Sequence, residues 1–140
     1  LVTKEVDDYN KYLLANRDDF DRTVNTWFRL QPKSDRSRSQ AVYRSLDQLP
    51  ENGDLFGEIN LSGFPAEVFQ ALEKARGRQA RKKKTFDTKL ESLRQSYLMK
   101  LLKLRQTFQD GGLKTQLESV DREVNGVGQD ATAFRSHFGD

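Results

Sequence analysis

From Ala66 to Asp140 the chain has no proline, and Pro32, Pro50 and Pro65 all fall earlier, so 75 consecutive residues lack the strongest helix breaker. Within that stretch Phe86, Leu90, Leu93, Tyr97, Leu101, Leu104 and Phe108 recur at alternating steps of four and three. Gly111-Gly112 stops the rhythm, which restarts with Leu113, Leu117, Val120, Val124, Val127, Ala131, Phe134 and Phe138. Steps of three and four keep apolar side chains on one face of a helix. Two matched stripes around a two-glycine break predict an antiparallel, coiled-coil-like hairpin, 86–110 against 113–138, with arms about 37 Å long at about 1.5 Å per residue. Gly126 and Gly128 interrupt the second stripe and predict a kink or helix end near Asn125, with 129–138 continuing as a short separate helix; close backbone approach by a partner is the other reading.

Upstream, Val6, Tyr9, Leu13, Phe20, Val24 and Trp27 share one narrow stripe whose phase holds past Asn16, predicting a helix over 3–30 that Pro32 ends. A polar turn follows, with Ser34 or Asp35 as its cap, and then a short helix within 35–49 that buries Val42, Tyr43, Leu46 and Leu49. Residues 50–64 combine three glycines with Leu55, Phe56, Ile59, Leu61 and Phe64, the signature of an ordered loop lying across a bundle. Ser62 and Pro65 signal the start of a long helix over 65–110. Leu is the dominant apolar residue, at 17 against eight Val and one Ile, which favours helices over strands. The expected fold is therefore all-α: one domain spanning 1–140, an elongated helical bundle in which the 3–30 helix packs on the hairpin. Leu98 and Leu102 widen the apolar arc of the 86–108 helix to about 180°, enough for two partners, so it should be central. The hairpin alone buries too little to offset the entropy of ordering it, and needs the N-terminal helix, a second chain, or both.

Several function classes are excluded by composition. No apolar run approaches the roughly 20 residues of a membrane span. The absence of cysteine removes disulfide scaffolds, thiol catalysis and thiolate-bound zinc. His137 is the sole histidine; it stands near the terminus beside Ser136, which does not share its helical face, and reads as a frayed terminal residue. Glu118 and Asp121 share a face off the apolar stripe, where nothing desolvates them for acid–base work. Residues 51–58, ENGDLFGE, place Glu51, Asn52, Asp54 and Glu58 near glycines but lack the alternating ligand positions of a calcium loop. Asn60-Leu61-Ser62 matches the glycosylation acceptor triplet, which matters only in a eukaryotic secreted context. No catalytic residue, cofactor site or metal site is assigned, and the chain is expected not to be an enzyme.

The net charge of +3 conceals an uneven distribution, with residues 61–110 carrying an excess of cations and both flanks an excess of anions. Lys74, Arg76, Arg78, Arg81, Lys82, Lys83 and Lys84 supply seven basic residues within 74–84, where the apolar stripe vanishes. Pointing all round the helix, they suggest a segment standing clear of the core. Such a segment can serve as a solvated helix, grip nucleic acid or an anionic membrane surface through charge, or dock an acidic protein surface such as the Asp18–Asp21 cluster of another copy. No aromatic residue interleaves the run, which argues against base stacking.

Residues 96–108, SYLMKLLKLRQTF, read as a basic amphipathic segment, but their apolar positions stay in phase with the bundle stripe, so core packing is the better account. The stretch 90–124, LESLRQSYLMKLLKLRQTFQDGGLKTQLESVDREV, resembles the Leu-rich helix, glycine turn, helix hairpins of many bacterial proteins of unknown function. The resemblance implies an assembly or scaffolding role. The expected function is thus a protein–protein interaction or assembly module that forms a homo-oligomer, the alternative being polyanion binding through 74–84. A start at Leu1 rather than Met reads as a processed or excised product, which leaves localisation unassigned.

Overall fold

The computed structural model describes residues 2–32, 36–128 and 130–138. The fold is all-α. Among the described residues there are five helices and no strand: α1 (Val2–Arg29), α2 (Arg36–Leu46), α3 (Ala66–Asp110), α4 (Lys114–Val127) and α5 (Ala131–His137). The expected caps Ser34 and Asp35 lie outside the described residues.

Helix boundaries follow local chemistry. α1 tightens at its end through i to i+3 bonds from the Leu30 and Gln31 amides to the Trp27 and Phe28 carbonyls, just before Pro32. α3 begins behind Pro65, whose carbonyl accepts from the Phe69 amide at 2.9 Å. Ser62 does not cap it, because its amide and hydroxyl both donate to Asn60 Oδ1. At the other end the Leu113 amide reaches back to the Phe108 carbonyl and the Gly112 amide to Gln109, with Gly112 at φ +68°. This is a Schellman motif, which needs glycine where the chain turns left-handed. The stripe over 113–138 is carried by two helices: α4 stops at Val127, Gly128 takes φ +72°, and Asp130 caps α5 by accepting from the Ala133 amide at 2.9 Å.

The chain divides into two compact units, with boundaries inside α1 and inside α3. The N-terminal unit is residues 8–83. Phe20 and Val24 of α1, Val42 and Leu46 of α2, Leu49, Leu55, and Val68, Leu72 and Ala75 of α3 form its core. Here α1 packs on α3, and the 50–64 loop closes over them through buried Leu55 and the partly buried Ile59, Leu61 and Phe64. Loop polarity is consumed locally: Asn52 and Asp54 accept from the amides of Asp54 and Phe56, two residues on.

The buried stripe of α3 continues through 74–84 although its apolar character lapses there. Leu72, Ala75, Gln79 and Phe86 are all buried, and Lys82 between them is half-buried, so the steps of three and four run through without a break. Gln79 is buried because its carboxamide is fully used: Oε1 accepts from the Leu55 amide at 2.9 Å and Nε2 donates to Asp54 Oδ1 at 2.7 Å. Asn16, also buried, donates to the Ala75 carbonyl and accepts from Arg78 Nε. Buried polar groups persist only when paired in this way.

The C-terminal unit comprises residues 1–7 and 84–140. Its buried residues are Val2, Phe86, Leu90, Leu101, Val120, Val127 and Phe134. Arg105 pairs with Asp121 at 2.7 Å, Tyr97 with Glu123, and Arg94 with the Gly128 carbonyl, so α3 and α4 run antiparallel from their shared turn. α5 folds back onto α4: a Cβ on Gly126 would meet the His137 ring at 2.6 Å, and one on Gly128 would meet Ala133 Cβ at 2.5 Å. The close approach foreseen at these glycines is thus made by the chain's own last helix.

Candidate interaction surface

The seven basic residues of 74–84 do not form one surface. Arg76 turns its guanidinium back to donate to the Leu55 carbonyl at 2.7 Å and covers the exposed Phe56 ring. Arg78 binds Asn16, and the Lys82 ammonium sits 5.1 Å above the Tyr12 ring. These three cations help pack the N-terminal unit instead of standing clear of it. Lys74, Arg81, Lys83 and Lys84 are exposed. At about 100° per residue, Lys74, Arg81 and Lys84 fall within an arc of about 80°, with Lys83 on the opposite side of the helix, so the outward charge is a three-residue stripe plus one outlier and not an all-round collar.

His137 is not frayed in the structure. Its Nε2 lies 2.9 Å from Glu123 Oε1, which also accepts from the Tyr97 hydroxyl, and its ring packs edge-on against Phe138. Sequence gave no sign of this, since Tyr97, Glu123 and His137 come from three different helices. Burial raises the Tyr97 phenol to about 12, helped by the hydrogen bond to Glu123. The bonds from Tyr97 and His137 hold the Glu123 carboxyl below its ordinary value. Near neutral pH the phenol keeps its proton and the carboxylate stays ionised, so the pair locks α3 to α4 and does not exchange a proton. A phenol with a raised folded-state value stabilises fully below the unfolded value of about 10 and loses that contribution as pH climbs through 12. Tyr97 should therefore be the last tyrosine to ionise in a phenolate absorbance titration, later than Tyr43, whose phenol burial also raises, and Tyr97→Phe should remove the last step.

Beside this cluster lies a cleft of about 290 Å³ lined mainly by Val2, Leu93, Tyr97, Phe134 and Phe138, with Lys100 contributing. The N-terminal unit carries a different groove, about 480 Å³, where exposed Leu14 is surrounded by Asp18, Asp21, Asp47 and Glu51, with Arg17 also lining it. Arg17 is committed to Asp21 at 3.0 Å and to the Leu46 carbonyl. Among the described residues no group of His, Cys, Asp or Glu could hold a metal ion, and no helix is long and apolar enough to cross a membrane.

Exposed apolar side chains also lie on α3. Its inward arc of Phe86, Leu90, Tyr97 and Leu101 is covered within the C-terminal unit, but the second arc is covered less: Leu98 is half-buried, Leu102 is 46% exposed and Met99 60%. Gln95, Leu98, Met99, Leu102, Gln106 and Gln109 share an arc of about 100° that holds no charged residue across four turns. Charge depletion with exposed Leu and Met is the composition of an interface centre. The second apolar arc expected on α3 is thus real, and among the described residues Met99 and Leu102 on it stay exposed while Leu98 is half-buried. Compared with known proteins, the chain matches no family model, no curated protein and no solved structure, so the likeness of 90–124 to Leu-rich hairpins is carried by its own residues alone.

Proposed function

We propose that the protein is a non-enzymatic protein–protein interaction and assembly module that self-associates through the uncharged outer face of α3. The observation that carries this reading is the exposure of Met99 and Leu102, beside the half-buried Leu98, in a helical arc free of charge. A helix whose outward surface served only to be solvated would place Lys, Glu or Arg there, as α3 does at Lys84 and Lys89. The hairpin-like resemblance of 90–124 points the same way. The basic run supports a binding role less well, because Arg76, Arg78 and Lys82 are engaged inside the N-terminal unit.

Sedimentation velocity across a concentration series tests this. The wild-type protein should form species larger than a monomer, and Leu102→Glu should weaken association about 10- to 100-fold, since burying a leucine is worth about 1.5–3 kcal/mol and the new carboxylate adds a desolvation penalty. Helix content should not change, because Leu102 is half out of the fold already. Association unaffected by Leu102→Glu would exclude this face.

A further inference from the structure

We infer that the cleft of the C-terminal unit binds a small single-tailed amphipathic carboxylate, such as a medium-chain fatty acid, with its tail against the aromatic wall and its head group on the Lys100 ammonium. Every residue lining the cleft belongs to that unit.

The wall is built before any ligand arrives. Tyr97 and Phe138 meet edge-on with ring centroids 5.5 Å apart, and Phe134 and Phe138 do so at 5.0 Å. Edge-to-face rings hold one another in place. The Tyr97 hydroxyl is taken by Glu123, so Tyr97 adds its ring to the cleft and not a free phenol group. Leu93 and Val2 extend the apolar lining, and pockets for small molecules are of this kind: apolar, largely preformed and marked by a few polar groups. At about 290 Å³ the space suits one short alkyl chain and leaves no room for the two tails of a phospholipid.

Polar chemistry selects the occupant. Among the described residues Lys100 is the one charged group in the lining, and no carboxylate accompanies it. Its helical neighbours at three and four residues, Ser96, Tyr97, Lys103 and Leu104, include no acid, and among the described residues it is in no ion pair. Ser96, which shares the Lys100 face of α3, has no hydrogen-bond partner for its hydroxyl among the described residues. Aromatic walls alone would favour an organic cation, but the Lys100 ammonium repels one. A carboxylate head instead takes a charge-assisted bond from Lys100 and a second bond from Ser96 while its tail leaves water.

Titration of the whole protein with decanoate, octanoate and octylammonium, followed by NMR, tests this. Decanoate should bind once per chain at about 0.1–1 mM, and octanoate about 4- to 16-fold more weakly for its two missing methylenes. Octylammonium should bind more weakly still. Lys100→Met keeps the stem, removes the charge and should weaken decanoate about 5-fold. Ser96→Trp leaves the charge but fills the cleft, and should abolish binding. Both residues are exposed, so helix content should hold. Leu102 stands about 160° from Lys100 around α3, so Leu102→Glu should leave decanoate binding unchanged, which separates this site from the association face. Octylammonium that binds as well as octanoate, or decanoate that binds Lys100→Met as well as wild type, overturns the choice of an anion. Decanoate that binds Ser96→Trp as well as wild type, or does not bind wild type, overturns the site.

Discussion

Gly53→Ala is expected to cost the N-terminal unit roughly 3–5 kcal/mol, a large share of the about 5–15 kcal/mol that holds a typical domain. Two effects combine at this position. Gly53 has φ +95°, a conformation that side chains strain to adopt. Its missing Cβ also faces the α1 backbone: a methyl group there would lie 2.5 Å from the carbonyl carbon and oxygen of Leu13 and 2.8 Å from the Leu14 nitrogen. Backbone in the middle of a helix cannot rotate away as a side chain can, so either α1 or the 50–64 loop must move, and Leu55 is drawn out of the core with the loop. Gly63 separates the two causes. It also has positive φ, +80°, but open space where a Cβ would be. Gly63→Ala should therefore show the conformational cost alone, about 1 kcal/mol. Denaturant unfolding of the two variants measures the difference. Equal destabilisation would mean that the approach of the loop to α1 is not tight.

What the sequence made legible depended on whether the signal was local. Apolar periodicity located α1, α3 and α4, since a residue's phase on a helix is fixed by its neighbours. The Gly111-Gly112 stop is a backbone requirement written in two residues, and the break after Asn125 likewise follows from two glycines. The basic segment was misread because a stripe is recognised by apolar residues, and here α3 fills its inward positions with Ala75, Gln79 and Lys82. Gln79 is acceptable there only because Leu55 and Asp54, 24 and 25 residues away, meet it; Arg78 is held only because Asn16, 62 residues away, does. No window of a few turns contains that information. His137 illustrates the same limit, since its partner Glu123 sits on another helix. The outer face of α3 was half legible: Leu98 and Leu102 announced a second apolar arc, but that Met99 and Leu102 on it stay exposed among the described residues follows only from tertiary packing.

A large effect at a single polar side chain is expected at Gln79. In Gln79→Leu the Leu55 amide loses its acceptor while Leu55 remains fully buried, and Asp54 loses a donor. An orphaned buried donor costs more than the bond itself contributed, so the expected loss is roughly 2–4 kcal/mol even though leucine is the more apolar residue. Gln79→Glu distinguishes this account from simple packing. It preserves volume and keeps an acceptor for the Leu55 amide, but it replaces the Nε2 donor with an oxygen 2.7 Å from Asp54 Oδ1. Two carboxylates at that distance cannot both ionise, so folding raises the affinity of the pair for a proton above that of unfolded carboxyls, whose ordinary values are about 3.9–4.3. A raised folded-state value means that the shared proton stabilises fully below those unfolded values, and that this contribution is lost as pH rises through the folded one. Gln79→Glu should therefore be clearly less stable than wild type at pH 7 and close the gap as the solution is acidified towards about pH 4, whereas Gln79→Leu should show a deficit that acidification does not repair. Urea midpoints of the three proteins across that range settle the matter: a pH-independent deficit for Gln79→Glu would mean that Asp54 does not face position 79, and no deficit for Gln79→Leu would mean that the loop, not this carboxamide, satisfies the Leu55 amide.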